Sequence, residues 1–357
     1  MLRRSMSVAA AAAGLLAPGA VSAVGASAAA SPSWHIVKSV PSGASGNFTA
    51  VVATGRTTAW AFNGNPVVNT VYPAAWTRHG ATWTRASFPG RRNEEVVAAG
   101  ATSPSDVWAF TSVGAGSRVL RWNGHHWSVV RTFAKPIGGA SVVAGNDVWV
   151  FGQPGILEQL GAWHYNGHTW TRTARTLDGG SALAANDVWA FSGTSVDHWN
   201  GARWVATSVK RLLPPKQLLN DPGLTGIYAR SAGDVYAVGN GNRQDEGGPT
   251  VLLHYNGHTW AKLAQGDYGY GTQPSQQISP DGHGGLWLPM PGLLGAPSYL
   301  LHYAAGQLSA APLPAGPRSI SVESVAPIPG TGQALAGGFT HGRNGTGRVV
   351  AVLLQYS

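Results

Sequence analysis

Residues 144–151 read AGNDVWVF and residues 162–170 read AWHYNGHTW. Each is a short apolar run flanked or broken by Gly, Asn and Asp, the pattern of brief strands joined by tight turns. The pair recurs along the chain. SPSDVWAF (103–110) leads to VLRWNGHHW (119–127), AANDVWAF (184–191) to VDHWNGARW (196–204), and SAGDVYAV (231–238) to LLHYNGHTW (252–260). Weaker copies flank these: TTAWAF with AAWTRHGATW ending at Trp83, GGLWLP with LLHYAAGQL ending at Leu308, and TGQALAGG with AVLLQYS ending at Ser357. The first marker of each copy falls at Trp60, Trp108, Trp149, Trp189, Tyr236, Trp287 and Leu335, in steps of 40 to 51 residues.

A period of that length with four strand-like runs is the pattern of a β-propeller, here with seven blades. Asn-Gly at 123–124, 166–167, 200–201 and 256–257 predicts type I′ hairpins, a turn that needs positive φ at both central residues. The last copy stops before its final aromatic, while SPSWHIV (31–37) looks like an outer strand with nothing before it. Docking the N-terminal strand beside 349–356 completes the seventh blade and removes an open sheet edge. Seven outer markers then balance the inner ones: Trp34, Trp83, Trp127, Trp170, Trp204, Trp260 and Leu308.

On these residues the chain resembles secreted actinobacterial propellers with DVWAVG…HWNGTSW repeats. It is more distantly similar to the Asp-box (BNR) repeats of sialidase-like propellers, whose tail the NGHTW runs at 166–170 and 256–260 match with Asn in place of Asp. The resemblance spans 31–357 and implies fold; one propeller scaffold hosts many activities.

Composition sets further bounds. Arg3 and Arg4, the apolar run from Val8 to Leu16, and Ala28-Ala29-Ala30 before Ser31 read as a signal peptide over 1–30, leaving 31–357 as a single propeller domain. The run is too short for a membrane anchor. With no cysteine, stability rests on the core and not on disulfides. Charged residues make up only 11% of the chain, and the net charge of +9 comes from scarce acids, 15 Asp and Glu, against 24 Lys and Arg. That balance argues against nucleic acid as partner.

The recurrent Asp106, Asp147, Asp187 and Asp234 read as turn residues accepting bonds from nearby backbone N–H groups. The recurrent histidines (His164, His198, His254 and His302 before an aromatic, His125, His168 and His258 after Asn-Gly) fall in different sectors of a disc and cannot converge on a metal. The sequence thus points to no metal and no cofactor, and no catalytic motif stands out. The two carboxylates of a glycosidase would have to come from Glu94 or Glu95 with Asp178.

Loops on one face of a propeller vary in length, while those on the other are short and uniform. Irregular loops mark a binding face. Here they carry Arg91, Arg92, Lys210, Arg211, Arg243 and Arg318, with Tyr268 and Tyr270 as stacking surfaces. The reading is a secreted, monomeric, non-catalytic binding propeller that takes an anionic or carbohydrate cell-envelope polymer, or an extracellular protein, on this basic face. The alternatives are a glycoside hydrolase or polysaccharide lyase at the axial pocket, and a structural protein-interaction platform.

Overall fold

The computed structural model describes residues 31–41, 46–64, 72–114, 116–153, 159–215, 221–241, 249–268, 275–292, 298–316, 318–342 and 349–357. The signal-peptide segment 1–30 lies outside them. Residues Ser33–Ser357 pack as one compact unit, made of seven antiparallel four-stranded sheets. The blades begin their first, inner strands at Asn47, Glu95, Ile137, Gly179, Gly223, Ser279 and Arg318. The seventh takes its fourth, outer strand from Trp34–Pro41, which pairs antiparallel with Val350–Tyr356 in the register Trp34↔Tyr356. Among the described residues no helix is long and apolar enough to cross a membrane.

All seven inner markers lie on second strands and are buried. Each outer marker lies on a fourth strand. Packing runs from one blade to the next. Trp60 meets Trp127 of blade two at 5.2 Å between ring centroids, Trp149 meets Trp204 at 6.1 Å, and Trp189 meets Trp260 at 6.1 Å. Trp287 of blade six contacts Trp34 and Tyr356 of blade seven at 5.2 and 5.0 Å. Edge-on aromatic pairs of this kind add about 0.5–1.5 kcal/mol beyond their buried area. At the last seam, between blades seven and one, Leu335 and Trp83 share one apolar cluster.

The turn aspartates take side-chain partners in place of the turn N–H groups expected from sequence, which corrects that reading. Cross-strand register sets each third-strand histidine opposite the second-strand aromatic: Trp149↔His164, Trp189↔His198, Tyr236↔His254 and Trp287↔His302. Each histidine Nε2 then bonds the aspartate at the start of its own blade's second strand or turn, at 2.9 Å to Asp147 and 2.8 Å to Asp187, Asp234 and Asp281. The imidazole lies flat on the indole or phenol, at 3.9 to 4.7 Å between centroids. In blade two Arg121 takes the histidine's place, bonding Asp106 at 2.7 Å over the Trp108 ring. Among the described residues it is Asp281, a fifth aspartate at this place, that also accepts turn N–H groups, from His283 and Gly285.

The Asn-Gly turns also depart from expectation. Gly167 has φ of 94°, but Asn166 is not in the left-handed region, so the turn is not type I′. Tyr165 pairs directly with Trp170, leaving a four-residue loop. Asn166 Oδ1 accepts the N–H groups of His168 and Thr169 at 3.0 and 2.9 Å and holds it open. The loops after Asn123, Asn200 and Asn256 repeat this arrangement.

Candidate functional site

The face opposite these turns carries the loops that join second to third strands and one blade to the next. Arg91 and Arg92 sit exposed at the tip of the loop entering blade two, beside Asn93, which adopts a left-handed φ of 61°. Such a tip needs a support, and Glu94 supplies it. Its buried carboxylate takes two bonds from the Arg118 guanidinium, one of them 2.7 Å long, one from Thr111 Oγ1 at 2.7 Å, and one from the Arg91 backbone N–H at 2.8 Å. Burial alone would raise the pKa of Glu94, but these donors hold it below the ordinary carboxylate value. Arg118 also donates to the Pro89 carbonyl, at 2.9 Å, so the ion pair pins both ends of the loop.

Lys210 and Arg211 are exposed on a single 3₁₀ turn, Lys210–Leu212, anchored by the buried Val209 and Leu213. Arg318 is exposed at the start of the inner strand of blade seven. These three groups enter blades two, five and seven, so they mark separate sectors of the rim and do not form one cluster. Tyr268 is half-buried against Tyr299 at 5.6 Å between ring centroids, and burial raises its pKa. Arg243 and Tyr270 lie outside the described residues.

The structure assigns the acids differently from one another. Glu94 faces Arg118. Asp178 is buried and accepts a 2.5 Å bond from Gln159 Nε2 of blade three. Neither lines the axial channel. Glu95 does, and the acid that joins it is Glu323, which the sequence reading left aside. The acid pair near the axis is therefore Glu95 with Glu323, and not Glu94 or Glu95 with Asp178.

Glu323 comes to the axis through a bulge. Five inner strands slip register at one level, at 48/50, 96/98, 137/139, 224/226 and 322/324. The extra residue (Thr49, Val97, Gly138, Thr225 or Glu323) falls three positions before the partner of the second-strand marker. A bulge re-aims a side chain and leaves it out of the ladder. Burial and the neighbouring Glu323 push Glu95 up to about 7, and burial does the same to Glu323.

The channel has a volume of about 700 Å³ and small walls: Gly100, Gly139, Gly179, Gly180, Ala99, Ser141 and Ser181 among them. The inner strands approach so closely that a Cβ on Gly100 would lie 2.5 Å from Val142 Cγ2. Serines stitch them together. Ser141 Oγ accepts the Ala182 N–H, and Ser181 Oγ the Ala229 N–H, both at 3.0 Å. Ser279 stands at the same place in blade six, opposite Trp287, but the residue that should donate to it is Pro327. Proline has no N–H, and Ser279 Oγ is buried without a partner.

A second cavity of about 380 Å³ opens on the turn face of blade six, walled by Tyr236, Trp287, His302, Tyr303 and Tyr356. Among the described residues no group of three or more His, Cys, Asp or Glu could hold a metal ion.

No family model matches the chain, and no curated protein matches its sequence. Solved structures match it by shape. YCF48, solved bound to D1 peptide, aligns with TM-score 0.56 and 13% identity over 90% of this chain and 96% of its own. The WD40 repeats of RRP9 align with TM-score 0.57 and 11% identity, covering 90% and 98%. The extracellular domain of the putative hybrid two-component system BT4673 from B. thetaiotaomicron gives TM-score 0.60 and 9% identity, covering 90% of this chain and 40% of that one. At such identities the likeness is one of fold: a seven-bladed β-propeller of four-stranded antiparallel blades.

Proposed function

We propose that this protein is an exported binding propeller whose loop face holds an acidic partner, either an anionic cell-envelope polymer or an acidic stretch of an extracellular protein. The observation that carries this reading is the Arg91–Arg92 tip. A chain with few charges spends a buried ion pair, Glu94 with Arg118, on fixing a loop whose exposed end presents two guanidinium groups. Arginine suits bidentate contact with carboxylate and phosphate, and a braced loop loses little conformational freedom on binding. Lys210, Arg211 and Arg318 extend the cationic rim to other sectors. That spacing fits an extended partner better than a compact one. YCF48, of the same shape, is solved with a peptide bound, which supports a chain-like ligand. The carboxylates of Glu94 and Asp178 are engaged within the protein, and this favours binding over the glycosidase reading.

The test is retention of residues 31–357 on teichoic acid, an acidic polypeptide, an acidic glycan and a neutral glycan across a salt series. Retention on the acidic matrices should fall as salt rises, because the Debye length shrinks from about 10 Å at 0.1 M to about 3 Å at 1 M. An Arg91→Ala/Arg92→Ala variant should bind about tenfold more weakly, the loss of one charge-assisted hydrogen bond or more. Equal retention by the variant, or no salt dependence, refutes a binding role for this rim.

A further inference from the structure

The axial channel has the opposite electrostatic character to the rim. Among its described lining residues are two carboxylic acids, Glu95 and Glu323, and no lysine, arginine or histidine. Arg230, on the first strand of blade five, is not in the lining. It is held by Asp234 at 3.1 Å and by the Tyr236 hydroxyl at 3.2 Å, and it donates to the Gly284 carbonyl. Tyr228 is the remaining titratable group on the wall. The first strand of blade one, which runs between the two acids, offers Thr49 and Val51 and no charge. Arg118, on blade two, belongs to Glu94.

Two neutral acceptors in the same channel also lack donors. Ser279 Oγ lost its donor to Pro327, and the residue is only 4% exposed. Gln276 leaves blade six and crosses the axis: its Oε1 lies 3.0 Å from where a Cβ on Gly139 would stand and 3.3 Å from one on Gly179. That oxygen is buried and unbonded. Acceptors without donors are costly to bury, and the Gln276 oxygen is such an acceptor in the channel that holds both acids.

We propose that the axial channel binds a primary ammonium group on an alkyl chain, the tip of a partner's lysine side chain, between Glu95 and Glu323 with Gln276 Oε1 as a neutral acceptor. An ammonium has three N–H donors and no acceptor, which complements two carboxyls that can ionise and an amide oxygen without a donor. A calcium ion takes six to eight oxygen ligands and favours more carboxylates than two. A narrow channel walled by glycine, alanine and serine admits an unbranched methylene chain. Burial, and for Glu95 also the neighbouring Glu323, raises both carboxyls to about 7, so near neutrality each is partly protonated. An entering ammonium replaces those protons as the balancing charge, so binding releases protons to solvent.

The probe is cadaverine, titrated calorimetrically into residues 31–357 at pH 7 in two buffers of different ionisation enthalpy. The expected result is saturable binding with net proton release. Glu95→Gln and Glu323→Gln should each weaken it about tenfold or more, the worth of a charge-assisted hydrogen bond. A Gly-Ser-Lys-Ser-Gly peptide should bind and its acetyl-lysine counterpart should not. Gln276→Ala, which keeps both acids, should weaken binding by less. Melting curves of each variant establish that it is folded. Diacetylated cadaverine binding as well as cadaverine, or unchanged affinity in both glutamine variants, overturns the assignment. So does calcium displacing the diamine, which indicates a metal site, or agmatine binding far more tightly, which indicates a guanidinium site. The Arg91→Ala/Arg92→Ala variant should keep full cadaverine affinity, so failure at the rim and failure at the axis are separable.

Discussion

Blade five ends in LLHYNGHTW and blade six in LLHYAAGQL, the same length in the same register, yet they close differently. In blade five Asn256 Oδ1 caps a four-residue loop, and Gly257 packs against Gly233 of the facing turn, 3.5 Å from its would-be Cβ. In blade six Ala304 has no acceptor to offer. It pairs with Gln307 instead, and the chain reverses over Ala305 and Gly306, with φ of 50° and 78°. Gly284 and Gly306 then have no neighbour within 4 Å of a built Cβ, and the 380 Å³ cavity opens between them. The inner edge of the same blade is reduced to Ser279–Pro280, and it lacks the serine stitch to blade seven. Blade six thus lacks the asparagine cap and the outer tryptophan of blade five on its turn face, and a serine stitch at its inner edge.

If blade six is the weak sector, the seam it shares with blade seven must rely on Trp34, which packs on Trp287. Removing residues 31–40 takes away that contact and the whole outer strand. The truncated protein should unfold far below the full 31–357 chain, or fail to accumulate folded, in thermal melts followed by near-UV circular dichroism. Equal melting would refute closure by this strand.

The contrast between filled and hollow blades can be measured next. Trp189→Ala in blade four should cost about 3–5 kcal/mol, the usual range for an emptied aromatic core site. Grafting the blade-five loop onto blade six (Ala304→Asn, Ala305→Gly, Gly306→His, Gln307→Thr and Leu308→Trp) should stabilise the protein by about 1–2 kcal/mol, as cavity filling commonly does. Urea denaturation reads both. A graft that destabilises would mean that the hollow is shaped by more than the missing asparagine.

The smallest effect concerns the stitch. Pro327→Ala restores an N–H opposite Ser279, and its coupling to Ser279→Ala in a double-mutant cycle should be about 0.5–1.5 kcal/mol, the net worth of one hydrogen bond. The proline's own entropy contribution cancels in the cycle. No coupling would show that the donor does not reach.

The fold was legible because its markers repeat. A large apolar marker, tryptophan in five of seven copies, every 40 to 51 residues, and an unpaired strand at each end, leave few other architectures. The Asp–His pairs were less so, because they depend on which third-strand residue faces Trp149, and that register follows from a loop whose length varies between blades. Glu323 was hidden for a related reason. It looks like an ordinary member of an alternating strand, and only its offset from Ala326, matching that of Thr49 from Val52, shows that it occupies the bulge. Arg91 and Arg92 could be placed on the loop face from sequence. That Glu94 is their brace, and not an axial acid beside Glu95, required the position of Arg118.

The Trp34–Pro41 strand has a temporal consequence. Its partner, Val350–Tyr356, follows every other strand of the propeller in chain order, and Ser33 and Ser357 exchange backbone hydrogen bonds at 3.1 and 3.3 Å. Every other sheet can form from neighbouring sequence, but this one waits for the last strand of the propeller. Until then Trp34 and the open edge of blade seven are both exposed to other chains. Contacts this distant in sequence also form slowly. Maturation therefore has a late, all-or-nothing step, and a polypeptide interrupted anywhere before Val350 leaves the ring unsealed.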